Sequence, residues 1–247
     1  MTDQAPEMRD GMRDLSGGED QPESGAATPP HLSTMPIALR GVAAGALALA
    51  LLLLIGLAVD HWPFAWDRAI LTGVRTHARS EALRKAAVDF TALGSVPVLI
   101  LMVGGATMLL LARGWWLTAI ATAASGISGG AVVTLVKHIV SRARPDLVPH
   151  WVDVHNASFP SGHAAGSAMV YLTLAALATQ ATQHRRLRLV IVLLAVLLVG
   201  AIGASRIYLG VHWPSDVAAG WCFGTLWALG WWWATAAARA SWHGARA

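Results

Sequence analysis

The sequence predicts an all-α fold, in which a polytopic membrane protein forms a six-transmembrane-helix bundle. Hydrophobic residues make up 55% of the chain and charged residues 13%, whereas a soluble domain usually carries about 25% charged residues. The apolar residues are grouped in runs of roughly 20, the length of a helix that crosses a bilayer. The charged residues lie in short pieces between these runs, which is typical of the flanks of membrane spans.

Six apolar runs define the predicted domain organisation. The spans are expected at residues 37–59, 92–112, 115–136, 161–179, 189–205 and 214–236. Together they form one domain over residues 37–238, followed by a short C-terminal tail at 239–247. Residues 1–36 are rich in Gly, Pro, Ser, Asp and Glu and hold few large apolar residues. They are expected to be a disordered N-terminal tail, because such a segment buries too little apolar surface to order itself.

Residues 66–90 follow a different pattern from the spans. They mix apolar and basic residues at near-helical spacing, which predicts an interfacial amphipathic helix. An ordinary extramembrane helix fits the same pattern.

The charge and cysteine content narrow the partners. The net charge of +4 comes from basic residues beside the apolar runs, so we expect contact with a bilayer and no nucleic acid. The single cysteine, Cys222, excludes an intrachain disulfide and any CxxC-type metal site. Oligomeric state leaves no recognisable pattern in the sequence.

The predicted spans also give an orientation. Six spans place both termini on one side, and the loops after the third and fifth spans then open on the other side. Arg185, Arg186 and Arg188 favour cytoplasmic termini, although the basic residues of 66–90 oppose this. We therefore expect an integral membrane protein whose two polar loops lie on the side opposite the cytoplasm.

The first polar cluster follows the third span. Lys137 and Arg144 are seven residues apart, so both lie on one helix face if the span's helix continues outward. Pro145 then discourages further helix. Two cations at a membrane boundary suit an anion, although interfacial anchoring accounts for them as well.

The second cluster, Pro160-Ser161-Gly162-His163, opens the fourth span. Ser161 is a favourable N-cap residue, and the free N–H groups of a first helical turn bind phosphate well. Gly162 lets a ligand approach the backbone, and His163 stands beside it. The alternative is a capping serine beside an incidental histidine.

The third cluster runs from Ser205 and Arg206 to His212 and Asp216. Pro214 fits the first turn of the sixth span, and the Asp216 carboxylate can reach back to His212. A carboxylate on one ring nitrogen makes the other nitrogen more nucleophilic. A capping aspartate with an unrelated histidine is the alternative.

Taken in order, the clusters resemble the three-part signature of the type-2 phosphatidic acid phosphatase superfamily. The signature reads K-x6-R-P, then P-S-G-H, then S-R-x5-H-x3-D, and every specified position is present. The matching residues are Lys137, Arg144, Pro145, Pro160, Ser161, Gly162, His163, Ser205, Arg206, His212 and Asp216.

This resemblance implies a lipid phosphatase that uses neither a metal nor a cofactor. His212 would be the nucleophile and form a phosphohistidine, Asp216 would orient it, and His163 would be the acid and then the base. The implied phosphate-binding residues are Lys137, Arg144, Ser161, Gly162 and Arg206. The expected substrate is a polyprenyl pyrophosphate, phosphatidylglycerol phosphate, phosphatidate or phosphorylated glycolipid.

Other interpretations of the same residues are kept open. A vanadate-dependent haloperoxidase resembles the same phosphate site, but such enzymes are soluble, and a non-catalytic transporter or scaffold is a third class. His150, Asp153 and His155 match no strong metal motif, so we expect them to border the substrate. Arg142 and His138 are interpreted as outer groups of the first cluster.

Overall fold

The computed structural model describes residues 37–61, 64–77 and 80–244, and all regular elements in these ranges are α-helices. In chain order they are α1 Ile37–His61, α2 Ala65–His77, α3 Glu81–Leu93, α4 Val96–Ala112, α5 Trp116–Val140, α6 Gly162–Gln180, α7 Arg185–Tyr208 and α8 Pro214–Gly244. The all-α class is confirmed for these residues. The predicted N-terminal tail lies outside them, as do residues 245–247 of the predicted C-terminal tail. Residues 239–244 of that predicted tail are instead the end of α8.

Helices α6 and α8 form the centre of the bundle. They pack against each other, α6 also contacts α4, α5 and α7, and α8 also contacts α1, α5 and α7. Gly220 and Gly224 of α8 face α6 at close range. A Cβ on Gly220 would lie 2.8 Å from the carbonyl oxygen of Ser161, and one on Gly224 would overlap that of Ala165. Small residues let the two backbones approach, as in packed membrane helices.

The outer helices carry apolar side chains on their exposed faces, as a lipid-facing surface requires. On α4 and α7 these side chains include Val96, Ile100, Leu101, Met108, Leu109, Leu189, Leu193, Leu194 and Leu197. Within the described residues, α5 and α7 are each long and apolar enough to cross a membrane. Helices α3 and α4, bent by 45° at their junction, make a third span if counted together.

The predicted count of six spans stays a prediction. Helix α6 is largely covered by its neighbours, with Ala164, Ser167, Ala168 and Ala175 among its buried residues. A covered helix does not need a continuous apolar surface, so hydropathy identifies it less clearly than an outer helix.

The prediction of one amphipathic helix over residues 66–90 was wrong. Helix α2 ends at His77, and α3 begins after Ser80, whose backbone is extended (φ −74°, ψ 133°). Helix α2 contacts α7 and α8, whereas α3 packs along α7. The two helices therefore pack against α7 as separate elements.

The junction between α3 and α4 faces the start of α6. Tyr171 of α6 donates its hydroxyl to the carbonyl of Leu93 (2.7 Å), and a Cβ on Gly94 would lie 3.1 Å from Cδ2 of His163. A glycine is required there because a side chain would press on the His163 ring and on Ile202.

The long loop between α5 and α6 is held against this end of the bundle. Trp151 packs with Tyr208 and with the apolar cluster of Ala87, Leu209 and Val211. The Arg75 guanidinium lies over the Trp151 ring, 3.4 Å from its centroid, and donates to the carbonyl of Pro149 (2.6 Å). Helices α2 and α3 thus fix the loop that carries the first polar cluster.

Candidate active site

The three polar clusters come together at one end of the bundle. The last turns of α5 and α7 meet the first turns of α6 and α8 there, with the loop between α5 and α6 folded over them. Ser161 and Asp216 are fully buried, and His212 is 2% exposed. The backbone N–H of Ser161 donates to the carbonyl of Asp216 (3.0 Å), which ties the starts of α6 and α8 together.

Lys137 and Arg144 reach the site by different routes, so their predicted placement on one helix face was wrong. Helix α5 ends at Val140 because Ser141 takes the left-handed conformation (φ 49°). Lys137, in the last helical turn, donates to the carbonyls of Ala157 (2.6 Å) and Ser158 (3.4 Å). Arg144 lies beyond the helix, in the loop between α5 and α6.

Three acceptors hold the Arg144 guanidinium in place. Its Nε and Nη2 donate to the backbone oxygen and Oδ1 of Asn156 (2.8 and 2.7 Å), and Nη1 donates to the carbonyl of Val211 (2.5 Å). The same Nη1 lies 3.4 Å from Nε2 of His212. Because Arg144 is fixed on both edges, its charge stays beside this ring nitrogen.

His212 presents different partners to its two ring nitrogens. Nδ1 lies 3.4 Å from Oδ2 of Asp216 and 3.4 Å from the Ser158 hydroxyl, so the predicted reach of Asp216 back to His212 is confirmed. Asp216 Oδ2 also accepts from Ser158 Oγ (2.5 Å) and from the Trp213 N–H (3.0 Å). With the proton on Nδ1, the lone pair of Nε2 points toward Arg144.

The protonation state of His212 suits a nucleophile. It lies in the link between α7 and α8, where burial lowers its pKa to about 3, although the hydrogen bond and charge of Asp216 act in the opposite direction. The ring is therefore neutral at pH 7, and a neutral imidazole can attack an electrophile.

The start of α6 supplies the second cluster. Ser161 is the N-cap, as predicted, and its hydroxyl accepts from the Ala164 N–H (3.5 Å). Gly162 faces Lys137, since a Cβ on it would lie 3.9 Å from Cε of that lysine. His163 lies within electrostatic reach of Lys137, Arg144, Arg206 and His212. The eight predicted site residues therefore share one region.

Arg206 offers an unused donor to this region. It is 4% exposed in the last turn of α7, and its Nη1 donates to Thr91 Oγ1 (2.7 Å). Its Nε is buried and has no hydrogen-bond partner among the described residues. An unsatisfied guanidinium N–H inside a protein is costly, and a bound oxyanion would satisfy it.

A comparison with known families identifies this arrangement. The model of the PAP2 superfamily matches residues 113–240, just over half of the chain, and this range holds the three clusters. The chain belongs to the PAP2 superfamily.

Individual relatives agree with this assignment. The PAP2 chain is 33% identical over 96 residues to phosphatidylglycerophosphatase B of Bacillus subtilis, covering 37% of this chain and 45% of that protein. It is also 36% identical over 129 residues to the decaprenylphosphoryl-5-phosphoribose phosphatase of Mycobacterium tuberculosis, covering 51% of this chain and 64% of that protein. The chain thus spans less than two thirds of the length of either curated relative.

A solved structure has the same fold. The crystal structure of the transmembrane PAP2 type phosphatidylglycerolphosphate phosphatase from Bacillus subtilis superposes with a TM-score of 0.63 at 26% identity, over 74% of this chain and 92% of that one. This likeness and the apolar outer helices support an integral membrane protein.

Sequence reasoning missed three residues of this PAP2 site. Ser158 and Asn156 precede the P-S-G-H cluster by a few residues, and their polarity beside that cluster is the only signal they give. Thr91, which holds Arg206, lies before the family match. It is a small polar residue at the end of α3, and nothing in its spacing indicates a partner on α7.

The loop between α5 and α6 carries His150, Asp153 and His155, which match no strong metal motif. His150 Nε2 lies 2.8 Å from the carbonyl of Pro145. Within the described ranges, three His, Cys, Asp or Glu side chains do not meet anywhere in a way that suits a metal ion. That catalysis needs no metal stays a prediction.

Proposed function

We propose that this PAP2 protein is a metal-independent membrane lipid phosphatase, which hydrolyses a lipid phosphomonoester or pyrophosphate through a phosphohistidine on His212. The observation that carries the proposal is the pairing at His212: Asp216 stands at Nδ1 (3.4 Å) and Arg144 at Nε2 (3.4 Å). A nucleophilic nitrogen facing a fixed cation, close to an unsatisfied Arg206 donor, suits attack on a phosphate.

In the first step, the Nε2 lone pair of His212 forms a bond to phosphorus. The bond between phosphorus and the leaving oxygen breaks, and its electron pair stays on that oxygen, which takes a proton from protonated His163. Asp216 accepts the Nδ1–H bond and stabilises the positive charge that develops on the ring. Lys137, Arg144 and Arg206 stabilise the equatorial oxygens, where charge accumulates in phosphoryl transfer.

In the second step, water replaces the histidine. His163, now neutral, takes a proton from the attacking water while the water oxygen bonds to phosphorus. The phosphorus–nitrogen bond breaks, and its electron pair returns to Nε2 of His212. Inorganic phosphate leaves in either case, because a pyrophosphate substrate has already lost its lipid monophosphate as the leaving group of the first step. Both histidines have then regained their initial protonation states.

The substrate class follows from the setting of the site. A site at one end of an integral helical bundle meets a headgroup at the membrane surface. The names of the two curated relatives, a phosphatidylglycerophosphatase and a decaprenylphosphoryl-5-phosphoribose phosphatase, have in common a phosphate carried on a lipid. Polyprenyl pyrophosphate, phosphatidylglycerol phosphate and phosphatidate are the candidates, the first two being preferred.

The proposal includes a membrane arrangement. Residues 37–238 form the six-span domain, preceded by the tail of residues 1–36 and followed by residues 239–247, of which 239–244 continue helix α8. The site faces the periplasm or the outside of a bacterial inner membrane. Support for this side comes from Arg185, Arg186 and Arg188 at the start of α7, the end far from the site, because such residues favour the cytoplasm.

The deciding experiment measures phosphate release by purified protein from a panel of lipid phosphates and pyrophosphates. His212→Ala should be folded and inactive, because the nucleophile is removed. His184→Ala, which changes an exposed histidine at the far end of α7, is the matched control and should keep wild-type activity. Normal phosphate release by His212→Ala would refute the mechanism, and no release by the wild type from any lipid in the panel would refute the function.

A further inference from the structure

A second buried carboxylate lies behind Asp216. Asp67 of α2 is 1% exposed and contacts the first turn of α8. It accepts the backbone N–H of Ser215 at Oδ1 (2.8 Å) and the Ser215 hydroxyl at Oδ2 (2.5 Å). An acid at such depth is kept only where partners balance its charge.

Arg142 joins the two carboxylates. Its Nη2 contacts Asp67 Oδ2 (3.1 Å), and its Nη1 donates to Asp216 Oδ1 (2.5 Å) and to Ser215 Oγ (2.8 Å). The guanidinium is 5% exposed. The nucleophile's carboxylate is thus held on one oxygen by Arg142 while its other oxygen faces His212.

The charges of this group explain why two acids share one arginine. Asp216 and Arg142 alone would form a neutral pair, and the pull of Asp216 on His212 would be weakened. Asp67 pairs with the same guanidinium, so Asp67, Asp216 and Arg142 together carry one net negative charge. When His212 bonds to phosphorus, its ring becomes positive, and a buried negative charge stabilises it more strongly than the same charge in water.

We propose that Asp67 and Arg142 are positioning residues for the nucleophile. They fix the Asp216 carboxylate against His212 and keep the group behind the ring anionic. This inference rests on the proposed function. It also adds a residue of α2 to the active site, and α2 precedes the part of the chain that the family model matches.

The first test is Asp67→Asn, which keeps the shape of the side chain and removes its charge. We expect kcat to fall about tenfold to a hundredfold, the range seen when outer partners of active-site ligands are removed at metal sites. KM should change little, because Lys137, Arg144 and Arg206 are untouched. Leu71→Ala is the control: Leu71 is fully buried on the same helix, so it loosens α2 without changing a charge and should leave kcat near the wild-type value.

The double variant Asp67→Asn, Arg142→Gln separates charge from packing. It removes one negative and one positive charge and restores the net charge of the group to that of the wild type. We expect its kcat to exceed that of Asp67→Asn alone, with each variant checked for folding by its elution and melting in detergent. A double variant that is slower than Asp67→Asn would overturn the argument from net charge, and a loss in Leu71→Ala equal to that in Asp67→Asn would overturn the positioning role of Asp67.

A spectroscopic measurement decides the same question without turnover. In protein labelled with ¹⁵N-histidine, His212 is assigned by comparison with His212→Ala. We expect a hydrogen-bonded Nδ1–H in the wild type and an upfield shift of this proton in Asp67→Asn. An unchanged resonance would contradict the inference. If the wild type hydrolyses no lipid, the proposed function fails, while this comparison still tests the link between Asp67 and His212.

Discussion

Replacing Arg206 by lysine tests the claim that its unused donor binds the phosphoryl group. The substitution keeps a positive charge and removes Nε, which is buried without a partner in the described structure. The Lys ammonium can occupy the position of Nη1 on Thr91 (2.7 Å), but it then has no rigid second N–H to aim at a phosphate oxygen. Loss of one oxyanion donor typically costs about 10²–10³ in kcat, or roughly 3–4 kcal/mol of transition-state stabilisation.

The assay compares kcat for a soluble short-chain lipid phosphate in detergent. Arg186→Lys provides the control, since Arg186 is exposed at the other end of the same helix and should tolerate the change within twofold. Arg206→Lys should elute and melt like the wild type while its kcat falls by two to three orders of magnitude. Wild-type turnover in Arg206→Lys would refute the assignment of the buried Nε to the phosphate.

Three further results are expected. Phosphate release should continue in saturating EDTA, because cationic side chains stabilise the phosphoryl oxygens, and a loss that Mg²⁺ or Zn²⁺ restores would count against this. Since burial lowers the pKa of His212 from 6.5 to about 3, its ring should stay neutral as the pH falls from 8 to about 4. A midpoint near 6.5 in an NMR titration would contradict that burial effect. Gly224→Ala should lower the melting temperature, because the added Cβ meets the backbone of α6, and overpacking costs about 1–3 kcal/mol; Gly130→Ala, at an exposed site with open space, should not.

Local sequence rules predicted the parts of the site that are set by short spacing. Ser161 caps α6 and Asp216 reaches His212 because each pair lies within one or two turns of a helix start, where backbone geometry fixes the distance. Such contacts depend on a few neighbouring residues, so they can be read from the sequence before the rest of the fold is known.

The remaining contacts depend on how distant segments pack. Arg144 was expected on the helix of Lys137, but that helix ends where Ser141 adopts a positive φ. Since residue 141 is neither glycine nor proline, the sequence gives no sign of this helix end. Asp67 lies in a stretch whose periodicity indicated only an amphipathic helix, and its partner Arg142 is contributed by another segment. The break at Ser80 had a signal, a favourable N-cap residue followed by an acid, which the longer amphipathic pattern obscured.

The corner between α3 and α4 contacts two groups of the proposed mechanism, Arg206 and His163. Thr91 accepts a hydrogen bond from the Arg206 guanidinium just before the corner, and Gly94 makes room for the His163 ring within it. In the proposed mechanism, one short piece of backbone therefore sets the spacing between His163, which donates a proton to the leaving group, and Arg206, which binds the phosphate. A substitution that shifts this corner should displace His163 and Arg206 together, so the proposed proton transfer and phosphate binding should be impaired by the same change.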